Sequence, residues 1–324
     1  MRIGIIGTNF ISDMLVEASH LVDGVTASAV YSRSRQTGEA FASKHCGMDV
    51  YDSLDDLLSS DIDAVYIASP HFMHKPQALS ALRAGKHVLC EKMMALRYAD
   101  GLEMSRQANE RGLVLMEAMR PIHDPAFGLI AENIHKIGRV RRAHFEYCQY
   151  SSRYDRFKRG EVLNAFDPTI GNSALADIGI YPLEMCLGLF GTPDGVNAES
   201  VFLENGFEGM GQISLGYGDM LATVTYSKIT ESIRPSVIEG EDGAITISRL
   251  NNLSTVMLYS KDGSITPLKS DPPRQNNMHH ELAHFRDLVL LGATVSPYLD
   301  ITLNSLKVVD EVYGITGIDT VFRV

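Results

Sequence analysis

The chain has 324 residues, longer than the ~250–300 residues at which a single hydrophobic core stops growing, so two domains are expected. Its composition is that of a globular protein, with 45% hydrophobic and 21% charged residues, and a formal charge of −11 argues against a surface that coats phosphates, so no nucleic-acid partner is expected. The four cysteines, Cys46, Cys90, Cys148 and Cys186, form no C-x-x-C pair and read as reduced thiols of a cytoplasmic protein rather than as a disulfide frame or a zinc site.

Ile3–Ile6 reads as a buried strand. As a secretion signal the run is too short, and Thr8, Asn9 and Asp13 interrupt it. Ile11, Met14, Leu15, Ala18 and Leu21 recur at helical spacing. Val25–Tyr31 is a second strand and Thr37–His45 a second helix, and Ser53 caps a short helix through Leu58. Strand Ala64–Ser69, helix Pro76–Ala84, strand His87–Cys90, helix Tyr98–Arg111 and strand Leu113–Met116 follow. Repeated βα units with short links predict a parallel sheet with helices on both faces. After about Pro121 the pattern changes. Pro125–Lys136 reads as a helix, Val140–Tyr150 as a long strand and Ala174–Phe190 as a mostly buried helix ended by Gly191. From Val196 to Ser260, turns at Gly218-Asp219 and Asp242-Gly243, with Asp262-Gly263 just beyond, predict an antiparallel meander. Helices near Met278–Leu291 and Leu299–Gly314 close the chain. The expected domains are 1–120 and 121–324, and no stretch approaches the ~20 apolar residues of a membrane span.

The turn after the first strand, Gly4-Ile5-Ile6-Gly7-Thr8-Asn9-Phe10-Ile11-Ser12, is an imperfect G-x-G-x-x-G/A string. Gly7 holds the tight-turn position, Asn9 the position where backbone approaches a pyrophosphate, and Ser12 the helix-packing position. Asn tolerates left-handed backbone, and helix N-terminal amides would hold the phosphates. An ordinary βα turn without a ligand is the alternative. The second strand ends at Ser32-Arg33-Ser34-Arg35, where an NAD site usually has an acidic residue. A small hydroxyl and a cation suit a 2′-phosphate, so NADP(H) is favoured, with NAD(H) the alternative; solvated surface charge is the plainer reading of Arg33 and Arg35.

Two later strings are more specific: Ala84-Gly85-Lys86-His87-Val88-Leu89-Cys90-Glu91-Lys92, and Asp177-Ile178-Gly179-Ile180-Tyr181-Pro182. With Ala68-Ser69-Pro70 and His74 before them, they resemble the glucose–fructose oxidoreductase/inositol dehydrogenase/MocA (Gfo/Idh/MocA) family over essentially the whole chain. Tyr181, where many members have His, resembles the branch of dimeric dihydrodiol dehydrogenase and NADP-linked xylose dehydrogenase. The resemblance implies an α/β protein: an N-terminal Rossmann domain and a C-terminal α/β domain with an open, mainly antiparallel sheet. It also implies homodimers or homotetramers through that sheet face and a small-molecule substrate. Thr8, Phe10, Ile11, Ala68, Ser69, Pro70, His74, Glu91 and Lys92 join Gly7, Asn9, Ser32 and Arg33 as implied cofactor contacts.

The implied catalytic residues are Lys92, Asp177 and Tyr181. Oxidising an alcohol removes a hydride to nicotinamide and a proton from the hydroxyl. A tyrosine, pKa ~10 when unperturbed, becomes a competent acid/base beside a cation such as Lys92. Asp177, four residues before Tyr181, would share its helix face and orient Lys92 or a sugar hydroxyl. The plainer readings are a strand-end lysine, a helix cap and a core tyrosine. Met93 stands where the family has proline. Arg120, His123, Tyr154, Asn164 and Phe166 are candidate substrate contacts. The implied activity is hydride transfer between NAD(P) and a sugar, polyol or dihydrodiol-like hydroxyl. A non-catalytic NADP or sugar sensor is the alternative. His280-Glu281-Leu282-Ala283-His284 matches the zinc-protease string H-E-x-x-H, but without its usual extension, so no metal is expected.

Overall fold

The computed structural model describes residues 1–318 except 46, 162, 271–275 and 293–295, so Cys46 lies outside the described residues. Cys90, Cys148 and Cys186 are free thiols. The chain forms two compact units. One comprises Met1–Ala95, Ala99–Met119 and Asn276–Thr302; the other comprises Leu96–Tyr98, Arg120–Gln275 and Leu303–Val324. No helix among the described residues is long and apolar enough to cross a membrane.

The first unit alternates strand and helix: β1 (Arg2–Ile6), α1 (Phe10–Ser19), β2 (Thr26–Tyr31), α2 (Arg35–Lys44), β3 (Asp49–Tyr51), α3 (Leu54–Ser59), β4 (Ala64–Ile67), α4 (His71–Arg83), β5 (His87–Glu91), α5 (Tyr98–Glu110) and β6 (Leu115–Ala118). All strands pair in parallel, in the order β3-β2-β1-β4-β5-β6. The direction of travel reverses between β1 and β4, the place where such sheets open a ligand crevice at their carboxyl ends. Strands β1 and β4 are buried on both faces, as their unbroken apolar runs predict. The three-residue β3 has too little pattern to be read from sequence. Helix α4 starts at His71, five residues before the predicted Pro76, and carries that proline internally.

The second unit contains α6 (Arg120–His123), α7 (Pro125–Asn133), β7 (Val140–Cys148), α8 (Tyr154–Lys158), α9 (Ile180–Phe190), β8 (Gly195–Phe202), β9 (Glu208–Tyr217), β10 (Met220–Ser227), β11 (Ser236–Gly240), β12 (Gly243–Ile247), β13 (Thr255–Ser260) and β14 (Ile265–Ser270). Eight strands form one sheet in the order β14-β13-β12-β11-β7-β10-β9-β8; every pair is antiparallel except β7 with β10. Ala143 and Phe145 of β7, Ile213 and Leu215 of β9, and Ala222, Val224 and Tyr226 of β10 are buried on the face that α9 covers. The intervening Arg142, Gln212, Ser214 and Leu221 are exposed, which is the alternation of a sheet with one solvated face.

Two helices follow, α10 (His279–Leu290) and α11 (Leu299–Thr316). The sequence expectation places residues 276–302 in the second domain. In the structure Met278, Leu282 and Phe285 pack into the first unit's core with Ile3, Leu15 and Val30, so α10 completes that core against α1.

Candidate active site

The turn after β1 fits a dinucleotide. Gly7 has φ +115°, and a Cβ there would stand 2.7 Å from the Ala68 carbonyl oxygen, so no side chain is accommodated. Its N–H donates to the Tyr31 carbonyl at 3.3 Å, which sets the end of β2 beside the turn. Asn9 corrects the sequence argument: its backbone is extended (φ −87°, ψ 177°), not left-handed. Its carboxamide oxygen instead caps α1, accepting from Ile11 N at 3.0 Å and Ser12 N at 3.2 Å, and its Nδ2 donates to Ala68 O at 2.8 Å. Such a cap contributes about 0.5–2 kcal/mol and ties the β1 turn to the β4 turn. Ile11, expected among the cofactor contacts, gives its amide to Asn9. The cap leaves the amides of Thr8, Asn9 and Phe10 to meet a pyrophosphate. Phe10 is 66% exposed beside them.

Arg33 is exposed just beyond β2, and no ion pair among the described residues holds it, whereas Arg35 pairs with Glu39 at 3.0 Å. Ser32 is half-buried and accepts from Ser34 N at 3.4 Å.

After β4, Ser69 Oγ donates to Gln77 Oε1 at 2.6 Å, and Pro70 precedes α4. His74, predicted to touch the cofactor, is fully buried; its Nδ1 lies 2.9 Å from Met93 O and its Nε2 2.9 Å from Ser69 O. It clamps two loops together instead. Burial lowers its pKa to about 4 against the pull of those carbonyls, and the Lys92 charge acts in the same direction. Glu91 is buried at the end of β5 and accepts from Tyr66 Oη at 2.5 Å. Lys92 follows, half-buried, and the Lys92–Met93 peptide bond is cis. Where the family has proline, this turn is held by Met93 O against His74 and by Met94 N donating to Glu117 Oε1 at 2.6 Å.

In the second unit the predicted helix over 174–190 divides. Leu175–Gly179 is a π-helical turn and α9 begins at Ile180. Asp177 is therefore on the wider turn, a form common at functional sites, so the α-helical spacing argument for it and Tyr181 does not apply. Gly179 packs against the face of Tyr226, whose ring atoms would lie 2.7 to 3.0 Å from a Cβ. This close approach explains the glycine of the Asp177–Tyr181 string. Tyr181 is 6% exposed, with its ring edge-to-face on Tyr147 at 5.5 Å. Asp177 is 35% exposed and pairs at 2.8 Å with Lys228, a residue that sequence reasoning missed. A lone lysine after a strand carries no motif that would have singled it out.

Of the candidate substrate contacts, Phe166 is corrected. It is 1% exposed in an aromatic cluster with Phe157 and Phe207, and is core. Tyr154 is half-buried against that cluster, with its ring 5.5 Å from Phe166. Asn164 is exposed, Arg120 is half-buried at the start of α6, and His123 is buried. On α10, Glu281 is fully buried and the His284 ring stacks on Tyr298 at 5.6 Å. A zinc-site base needs access to a metal-bound water, which that burial denies.

Glu208 on β9 supports the π-turn by accepting from Leu175 N at 2.9 Å and from Ser200 Oγ at 3.3 Å. Burial pushes its pKa from 4.5 up to about 7. Between those values the native chain holds a proton that the unfolded chain has lost, so stability falls as pH rises through the window, by roughly 3 kcal/mol in total. Replacement Glu208→Gln removes the titration. Its stability relative to the parent should improve steadily between about pH 5 and pH 8 in denaturant titrations. A pH-independent difference would contradict this.

Residues 1–119 match the Gfo/Idh/MocA family model described as an oxidoreductase family with an NAD-binding Rossmann fold, and residues 131–246 match the Gfo/Idh/MocA C-terminal domain. Scyllo-inositol 2-dehydrogenase (NADP(+)) of Bacillus subtilis (strain 168) is 41% identical over 89% of this chain and 88% of its own. Trans-1,2-dihydrobenzene-1,2-diol dehydrogenase of Oryctolagus cuniculus is 27% identical over 90% of each. In fold, a 3-ketoreductase of Actinomadura kijaniata solved with NADP and TDP-benzene superposes with a TM-score of 0.85, covering 98% of both chains at 22% identity. Built from a parallel Rossmann unit and an open, mainly antiparallel sheet, with both family strings in place, the chain belongs to the Gfo/Idh/MocA family and is an NAD(P)-dependent oxidoreductase.

Proposed function

We propose that the protein is an NADP-linked dehydrogenase of a polyol, sugar or dihydrodiol-like CH–OH group, with inositols as the leading substrate class. The observation that carries the reading is the turn after β1: a glycine that no side chain can replace, with the exposed Arg33 beyond the strand that turn touches. The substrate class is supported by the 41% identity to an NADP-linked inositol dehydrogenase.

When bound, the nicotinamide accepts or supplies the hydride. Lys92 donates a hydrogen bond to the reacting oxygen. Tyr181 takes the hydroxyl proton in oxidation and returns it in reduction. Asp177 accepts from a neighbouring substrate hydroxyl, which selects for polyols. The same reading takes the solvated face of the eight-stranded sheet, with Leu221 exposed on it, as the surface for a homodimer or homotetramer.

A screen of inositols, aldoses and dihydrodiols with each nicotinamide cofactor tests the proposal. The expected result is turnover with at least one inositol or diol, and kcat/KM at least ~10-fold higher with NADP than with NAD. Tight NADP binding without turnover of any of these compounds would point to a non-catalytic sensor instead.

A further inference from the structure

We infer that Lys228 is a positioning residue for Asp177, an inference that rests on the reaction proposed above. Lysines are almost never fully buried unless paired. Lys228 is 4% exposed in its side chain, immediately after β10. Its ammonium lies 2.8 Å from Asp177 Oδ2, donates to the Ala165 carbonyl at 2.6 Å, and sits 4.9 Å and 5.1 Å from the ring centroids of Phe166 and Phe207. Carboxylate, carbonyl and two π faces together offset the loss of hydration.

The geometry fixes the ammonium on rigid supports. The Lys228 N–H donates to Gly209 O at 2.9 Å, and its carbonyl accepts from Ser151 N at 2.9 Å, so its backbone is tied on both sides. Asp177 stands on a π-helical turn and its carboxylate is one-third exposed. With one oxygen held by Lys228, the rotamer of the carboxylate is set. Lys228 also fastens the Asn164–Phe166 turn through Ala165, so one cation orders two segments that carry candidate substrate contacts. The role is indirect. Lys228 acts on the reaction through Asp177, and its own nitrogen is enclosed.

The test is a double-mutant cycle of Lys228→Met and Asp177→Asn in the full chain, using the best substrate from the screen. Each single variant is expected to lower kcat/KM by ~30- to 100-fold, with the loss in kcat and substrate KM and the NADP dissociation constant within about twofold of the parent. The double variant is expected within about threefold of the worse single variant, because both remove one acceptor geometry. Losses that multiply, or a folded Lys228→Met with kcat/KM within about twofold of the parent, overturn the inference. If Lys228→Met does not fold, Lys228→Gln takes its place in the cycle, since it keeps a polar side chain without the charge. Lys92→Ala is measured alongside. If it keeps parental turnover, the proposed reaction fails and this inference with it; if it is inactive while Lys228→Met is fully active, this inference alone fails.

Discussion

Lys92→Ala and Tyr181→Phe are each expected to lower kcat by ~10²–10⁴-fold while NADP affinity stays within a few-fold of the parent. The expectation rests on the separation of tasks within each unit. In the first unit, the turn after β1 and the end of β2 offer amides and a cation for phosphates, and none of them depends on Lys92. Lys92 stands after β5 on a turn whose next carbonyl is fixed by buried His74 and whose Met94 amide is fixed by Glu117. A loop held that firmly suits a donor that must meet a reacting oxygen in one place. In the second unit, Tyr181 is packed by Tyr147 and is the second residue of α9, so Tyr181→Phe removes one hydroxyl and leaves the ring packing intact. Initial rates at saturating cofactor, with cofactor titration by fluorescence, separate the two effects. Parental kcat in both variants would remove these residues from the mechanism.

Arg33→Ala is expected to weaken NADP binding by ~10- to 100-fold and leave NAD binding nearly unchanged, the scale of one or two charge-assisted hydrogen bonds. Strand β2 ends next to the glycine turn because Gly7 N–H donates to Tyr31 O at 3.3 Å. Arg33 follows two residues later, while Arg35 is already engaged with Glu39 at 3.0 Å. Arg35→Ala is the matched control and should shift neither affinity by more than about twofold, the range of an exposed helical pair. Equal losses for both cofactors in Arg33→Ala would show that the arginine serves the pyrophosphate or the fold rather than the 2′-phosphate.

The first unit was readable because each strand is a short apolar run and each link is short, so even the imperfect string Gly7-Thr8-Asn9 could be placed on a turn. Asn9 serves the turn by a different physical means from the one its residue type suggests. Sequence suggested a backbone conformation, whereas the side chain supplies a cap and a tie to Ala68. Strand β3 was missed because three residues at a sheet edge have no period. The π-turn was missed because Ala174–Phe190 is apolar throughout, and one extra residue per turn leaves no trace in such a pattern. His74 reads as a cofactor contact from its place in the family string and Phe166 as a substrate contact from its place before the Asp177–Tyr181 helix, yet both are buried in the protein interior, and burial is set by neighbours distant in sequence. The same limit hid Lys228. Its partners Asp177, Ala165, Phe166 and Phe207 are brought together only by the fold.

The most direct measurement is isotope transfer by the parental protein. Scyllo-inositol deuterated on its ring carbons is incubated with NADP, and the reduced cofactor is analysed by NMR and mass spectrometry. Direct hydride transfer predicts deuterium at C4 of the nicotinamide in stoichiometric amount, with none exchanged from solvent. Formation of unlabelled reduced cofactor from that substrate, or no reduction with it or with any other polyol, would contradict the account.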